Sequence, residues 1–210
     1  MTETAIAPLT AEILRNALKN EDFIAFPATL ADYDRLSDNR EFSLHYVQNQ
    51  IMGTMSYCTE NHELIVINMA SLFNFAFENC KVMGSNRPIY VEEVDEIFEP
   101  DVQVVMGETQ VHRYGKSKTA TVNPVVVVEV HSNSTKEFDL TIKLNAYKQI
   151  PTLQNIIFIE QDKPHISIYS RTKRPNEWLN ADLTDLTQKI RVLGTNFPLS
   201  KIYNKVIFTI

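Results

Sequence analysis

The chain has 210 residues and a formal net charge of −6, with 44% hydrophobic and 22% charged residues. That is enough apolar sequence for a real core and argues against global disorder. The acidic balance excludes a protein that coats nucleic acid through bulk charge, though not an enzyme with a local basic groove.

With five glycines, no phosphate-cradling loop is on offer. No apolar run approaches the roughly 18–20 residues of a membrane span. The start, M-T-E-T-A-I-A-P-L-T, reads as no secretory signal. Cys58 and Cys80 form no CxxC and read as free thiols of a reducing, cytoplasmic setting.

Residues 1–9 read as a loose tail. Thr10 is suited to cap a short helix through Lys19, with Ile13, Leu14, Ala17 and Leu18 on one face. Leu30, Tyr33 and Leu36 suggest a second short helix. Its neighbours Asp32, Asp34 and Asp38 read as a solvated face. Phe42–Val47 and Ile51–Tyr57 read as a hairpin turning at Asn49.

From Thr59, a candidate N-cap, the apolar period changes and predicts a long helix to about Cys80. Lys81–Val91 reads as strand, break and strand around Gly84 to Pro88. Phe98–Met106 reads as one strand carrying Asp101. Gly107–Asn123 reads as a long polar loop; its Arg113, Lys116 and Lys118 suit either phosphates or, more plainly, solvent.

The run P-V-V-V-V-E-V-H, Pro124–His131, predicts a strand buried on both faces. Residues 138–146 alternate like a strand, but Ser134 or Thr135 as N-cap and Pro151 as a stop favour a helix. Thr152–Glu160 and His165–Tyr169 follow as a hairpin. The segment 171–210 has no placement by pattern. The fold class predicted is mixed α/β (α+β), with a central sheet of about five or six strands and a helix packed on it.

Glu129 ends the valine strand, and a buried carboxylate there is costly unless its charge is compensated. Asp101 opens the strand before it. If those strands are neighbours, both acids reach one cation, and hard oxygen donors suit Mg²⁺ or Mn²⁺ better than Zn²⁺. His131 shares a face with Glu129 in an extended strand, at the position a lysine would take in E-x-K. The nearest candidate lysine is Lys143, four residues after Asp139 on a helix, a pair that reads equally as a surface salt bridge. His62 and Glu63 open the long helix, where His62 lies toward Ile65, Val66 and Met69 and reads first as a half-buried structural histidine.

The ordered set G-T-M-S, N-H-E-L-I-V-I-N, E-P-D-V-Q-V-V and V-V-V-V-E-V-H-S-N-S-T-K-E-F-D-L-T-I-K-L-N-A-Y resembles the Uma family of putative restriction endonucleases, in the PD-(D/E)xK nuclease superfamily. The resemblance spans roughly residues 42–170. It implies a restriction-endonuclease-like fold, a central mixed sheet flanked by helices. It implies a metal-dependent DNA endonuclease that hydrolyses phosphodiester bonds.

Carried onto this chain, the resemblance makes Asp101 and Glu129 the metal-holding acids and Lys143 a lysine moved from strand to helix. The backbone carbonyl of Val130 completes the metal shell. His62, Glu63, His131 and Asp139 stand in second rank. DNA is the expected substrate, without membrane association, and a homodimer is a natural way to place two sites on a duplex. Residues 1–41 read as a helical extension, 42–170 as the nuclease-like core and 171–210 as an extension packed on it. The rival reading is a catalytically inactive binding or structural protein that keeps the fold, favoured by the histidine at the strand lysine position and by the acidic surface.

Overall fold

The computed structural model describes residues 8–131 and 135–208. The capping role considered for Ser134 and most of the expected tail, residues 1–7, fall outside them.

A six-stranded sheet lies at the centre. Its order is β13 (Trp178–Leu183), β12 (Ile166–Arg171), β11 (Asn155–Glu160), β10 (Val126–His131), β7 (Val102–Met106) and β4 (Cys80–Gly84). β10 is the valine strand, and all of its residues are buried, as an unbroken β-branched run demands. Val126, Val128 and Val130 face helix α3 (Glu60–Ala76) through Ile65, Met69 and Phe73. Val127 faces the other way, toward Phe138, Tyr147 and Phe158. By the two-residue period, Glu129 and His131 share that second side.

β10 pairs parallel with β11 and antiparallel with β7. A parallel pair needs a crossover, and here it is helical. α4 (Lys136–Phe138) passes through a π turn (Asp139–Lys143) into α5 (Leu144–Tyr147). Within that turn the Leu144 N–H reaches back to the Asp139 carbonyl. The widened turn keeps Asp139 and Lys143 buried along with Phe138, Leu144 and Tyr147. Single π turns of this kind are frequent at functional sites.

A second, seven-stranded sheet has the order β1 (Ile24–Pro27), β3 (Gln50–Met55), β2 (Phe42–Val47), β6 (Glu96–Phe98), β5 (Ile89–Val91), β9 (Lys118–Thr121) and β8 (Val111–Tyr114). Val47, Met52, Ile89, Val91 and Phe98 join the second-side core with Val127 and Phe158. Helices α1 (Ala11–Ala17) and α2 (Leu30–Leu36) pack on this sheet through Leu14, Tyr33 and Leu36. A ribbon of β14 (Lys189–Val192) and β15 (Thr195–Pro198), followed by α6 (Leu199–Ile202), packs with α3.

The architecture is mixed α+β with helices flanking mixed sheets, as expected. The first helix starts at its expected cap, where the Thr10 side chain accepts from Ile13 N–H. The second starts at Thr29, which was not singled out from the sequence and which forms a capping box with Asp32. The β2–β3 hairpin turns at Gln48 and Asn49, both with positive φ.

Four expectations are corrected. α3 ends at Ala76, and Cys80 already begins β4. The strand expected over Phe98–Met106 breaks at Glu99–Asp101, so β6 and β7 belong to different sheets; Pro100 supplies no ladder donor there. The expected loop Gly107–Asn123 holds the hairpin β8–β9, whose short alternation was too weak to read. Its turn uses Gly115 at φ 58, where a Cβ would strike the Asp34 carboxylate. Within that hairpin Lys118 is taken up by acids of α2 and of the turn that follows it, 3.3 Å from Asp34 and 3.0 Å from Asp38. Finally, the expected single sheet is two large sheets and a ribbon. Among the described residues no helix is long and apolar enough to cross a membrane.

Candidate functional site

Asp101 sits just ahead of β7, and Glu129 is near the C-terminal end of the antiparallel neighbour β10. The register places Val128 opposite Val102, so Glu129 and Val130 run past the start of β7 toward Asp101. The Val130 N–H donates to Asp101 Oδ2 at 2.7 Å. In an extended strand a residue's N–H and C=O leave on the same side, so the Val130 carbonyl also faces the Asp101 edge.

Lys143 reaches this edge from the crossover helix. Its Nζ lies 3.0 Å from Glu129 Oε2 and 3.0 Å from Asp139 Oδ1. Tyr147, one turn further, donates to Glu129 Oε1 at 2.6 Å. From the other face of the sheet, His62 of α3 places Nε2 3.3 Å from Asp101 Oδ1. These residues, His131 and Tyr147 apart, line a cleft of about 660 Å³ with Arg40, Arg87, Glu99 and Glu63.

The electrostatics are lopsided. Asp101, Glu129 and Asp139 surround one lysine, and Glu129, Asp139 and Lys143 are buried. Burial pushes the Glu129 carboxyl up to about 8, against the pull of Lys143 and with the push of Asp139 and Asp101. Burial disfavours the Lys143 ammonium, but Asp139, Glu129 and Asp101 raise its pKa and keep it charged. Burial also works against ionised Asp101, yet His62, the Val130 N–H and Lys143 together lower its pKa. The raised Glu129 carboxyl reflects burial and the crowding of three carboxyl groups on one lysine. The donor set of carboxylates and a backbone carbonyl fits a hard divalent cation, which would correct the balance.

The structure thus brings Asp101, Glu129, Lys143, Asp139 and His62 together, with Val130 at their edge. Glu63 lines the same cleft with a side chain 58% exposed, and its Oε1 is 3.9 Å from His62 Nδ1. His131 lies apart from the cleft wall: it stacks on Phe158, and its Nδ1 is 3.8 Å from Asp139 Oδ2. It flanks Asp139 rather than taking a strand lysine's place.

Two contributors were not singled out by spacing. Tyr147 could have been found as the residue four after Lys143 on the same helix face. His45 carries no sequence signal; it is buried between Phe98 and Phe138, and its Nδ1 accepts from the Glu99 N–H at 3.1 Å. Burial pushes Glu99 up to about 7, and Arg40 and Lys143 pull it back down.

A family model named Uma2 and described as "putative restriction endonuclease" matches residues 30–197. Two curated relatives from Synechocystis sp. are each 25% identical to the chain. One, the uncharacterized protein sll1609, aligns over 157 residues, 74% of this chain and 86% of its own. The other, the uncharacterized protein slr1290, aligns over 181 residues, 84% of this chain and 92% of its own.

Proposed function

The chain belongs to the Uma2 family of putative restriction endonucleases, and on that premise we propose that it is a divalent-metal-dependent DNA endonuclease centred on Asp101, Glu129 and Lys143. The observation that carries this reading is the cleft's charge arrangement: three carboxylates around one buried lysine, with Lys143 3.0 Å from Glu129. Asp101, Glu129 and the Val130 carbonyl would hold the ion, Mg²⁺ or Mn²⁺. A bound ion there supplies Lewis-acid polarisation of the phosphodiester and a more acidic water.

The protein's own groups do the rest. Lys143 places a fixed positive charge beside the oxygens where negative charge develops. Asp139 and Phe138 hold that ammonium in place, the latter with its ring centroid 5.5 Å from Nζ. Tyr147 fixes the Glu129 carboxylate, and His62 with the Val130 N–H fixes Asp101.

One observation favours the rival, a non-catalytic protein with the same fold. Each oxygen of Asp101 and Glu129 already has a protein partner. Lys143 would then be a permanent internal counter-ion.

Plasmid nicking with Mg²⁺ or Mn²⁺ separates the two readings. Cleavage by the wild type that is abolished in folded Asp101→Ala and Lys143→Ala supports the nuclease as drawn. Loss in Asp101→Ala alone keeps the nuclease and removes the lysine's role. No cleavage, with no metal-induced shift in melting temperature, leaves the binding protein.

A further inference from the structure

We propose that Cys58, His62 and Glu63 form a second cation site, distinct from the carboxylate centre and selective for a thiophilic divalent ion such as Zn²⁺. Their ligand atoms, a thiol sulfur, an imidazole nitrogen and a carboxylate oxygen, all lie within 4.8 Å of one another. A tetrahedral zinc with bonds of about 2.0–2.3 Å needs its ligand atoms about 3.3–3.8 Å apart. Side-chain adjustments of about an ångström therefore close the site.

The local fold holds these three together. Cys58 immediately precedes the N-cap Thr59, whose hydroxyl accepts from the His62 N–H at 3.1 Å and is bonded to Gln161. That anchors the first turn of α3, where His62 and Glu63 follow one another. Cys58 is exposed and Glu63 largely so, which leaves an entry path and a fourth position for water.

The second observation is the division of labour on the His62 ring. Nε2 is occupied by Asp101 at 3.3 Å, while Nδ1 is buried and has no hydrogen-bond partner among the described residues. Buried polar atoms are rarely left so, and each exception calls for an explanation. A metal-ligating histidine commonly gives its other N–H to a carboxylate, which is the place Asp101 already takes. The free Nδ1 is the nitrogen nearest Glu63, at 3.9 Å.

The ligand chemistry separates this site from the carboxylate centre. Sulfur and imidazole favour Zn²⁺ over Mg²⁺, whereas Asp101 and Glu129 offer only oxygen. The position at a helix N-terminus opposes a bare cation. Thiolate and carboxylate together neutralise a divalent ion, so that opposition is small. On binding, one metal–sulfur, one metal–nitrogen and one metal–oxygen bond form, and the thiol proton leaves to solvent. Because His62 joins both sites, an ion on Nδ1 fixes the Nε2 proton on Asp101.

Co²⁺ titration of the full chain tests this by absorption. The expected result is one equivalent producing a near-ultraviolet thiolate-to-cobalt band and visible bands of tetrahedral Co²⁺, displaced by Zn²⁺ and not by Mg²⁺. Cys58→Ser, at an exposed position, removes the near-ultraviolet band. His62→Ala weakens binding by more than the about 10–100-fold that loss of an outer partner costs. Cys80→Ser and Glu129→Gln keep the band, which separates this site from the other thiol and from the carboxylate centre. Absence of a thiolate band in the wild type, or its survival in folded Cys58→Ser, overturns the proposal.

Discussion

Lys143 Nζ lies 3.0 Å from Glu129 Oε2 and 3.0 Å from Asp139 Oδ1, and all three side chains are no more than 6% exposed. Removing the cation alone strands two buried carboxylates. Lys143→Met is therefore expected to cost about 3–5 kcal/mol of stability. Pairing it with Glu129→Gln should recover part of that loss, since one of the two stranded carboxylates is removed and Asp139 remains. Denaturant unfolding of the single and double variants checks this. A Lys143→Met protein as stable as the wild type would show that the carboxylates do not depend on the lysine.

Tyr147 is expected to act as a positioning residue. Tyr147→Phe removes a 2.6 Å hydrogen bond to Glu129 while keeping the ring packed against Phe98. A net intramolecular hydrogen bond contributes about 0.5–1.5 kcal/mol, so a comparable loss of stability follows. In the nuclease reading kcat falls about tenfold with little change in KM, because Glu129 loses orientation rather than charge. Steady-state cleavage kinetics read this; a change in KM alone would contradict it.

The central features of the fold were legible where local pattern and tertiary demand agree. Four consecutive valines admit only a strand covered on both sides, and Pro151 stops the crossover helix where the chain must turn back to β11. That the strands beside Asp101 and Glu129 are neighbours stood only as a condition in the sequence, and the antiparallel pairing of β7 with β10 meets it. What was hidden depends on distant partners. β13 is mostly exposed, with no apolar alternation, and exists because its whole length pairs with β12. The β8–β9 hairpin is only four residues on each side, below what periodicity resolves. His62 meets Asp101 because α3 crosses the sheet at that edge, a relation that no spacing along the chain encodes.

His45 gives stability a pH dependence of known sign. Burial holds its pKa well below the ordinary 6.5, so the folded state resists protonation. Its contribution is complete above the unfolded value of 6.5 and is lost as pH falls below it. Glu99 and Glu129 act oppositely. Raised from 4.5 to about 7 and about 8, they contribute stability that is lost as pH rises through those values. Comparison with His45→Asn cancels them, since Asn keeps an acceptor for the Glu99 N–H but does not titrate. The stability advantage of the wild type should shrink steadily in unfolding curves from pH 7.5 to 5.5. A constant difference would mean that His45 titrates normally.

Gly53 is required by close approach. A Cβ on Gly53 would strike the Ser43 backbone carbonyl, across the β2–β3 pairing. Backbone cannot yield as a side-chain tip does, so Gly53→Ala should cost about 1–3 kcal/mol. Thermal unfolding measures it, and a neutral outcome would mean that the two strands separate locally without loss.

The charge excess around Lys143 also makes a prediction that needs no turnover. An ion that binds the folded state and not the unfolded chain stabilises by about 2.7 kcal/mol at a hundred times its dissociation constant. For a chain of this length each kcal/mol moves the melting temperature by about 2–4 °C. Saturating Mg²⁺ or Mn²⁺ should therefore raise it by roughly 5–10 °C in the wild type. Asp101→Asn removes a charged ligand and should abolish most of the shift. Cys58→Ser should leave the Mg²⁺ response intact, because a thiol contributes little to a hard-ion site. If Asp101→Asn instead melts with an undiminished Mg²⁺ shift, the ion binds elsewhere, and the Asp101–Glu129 edge is a structural ion network held by Lys143.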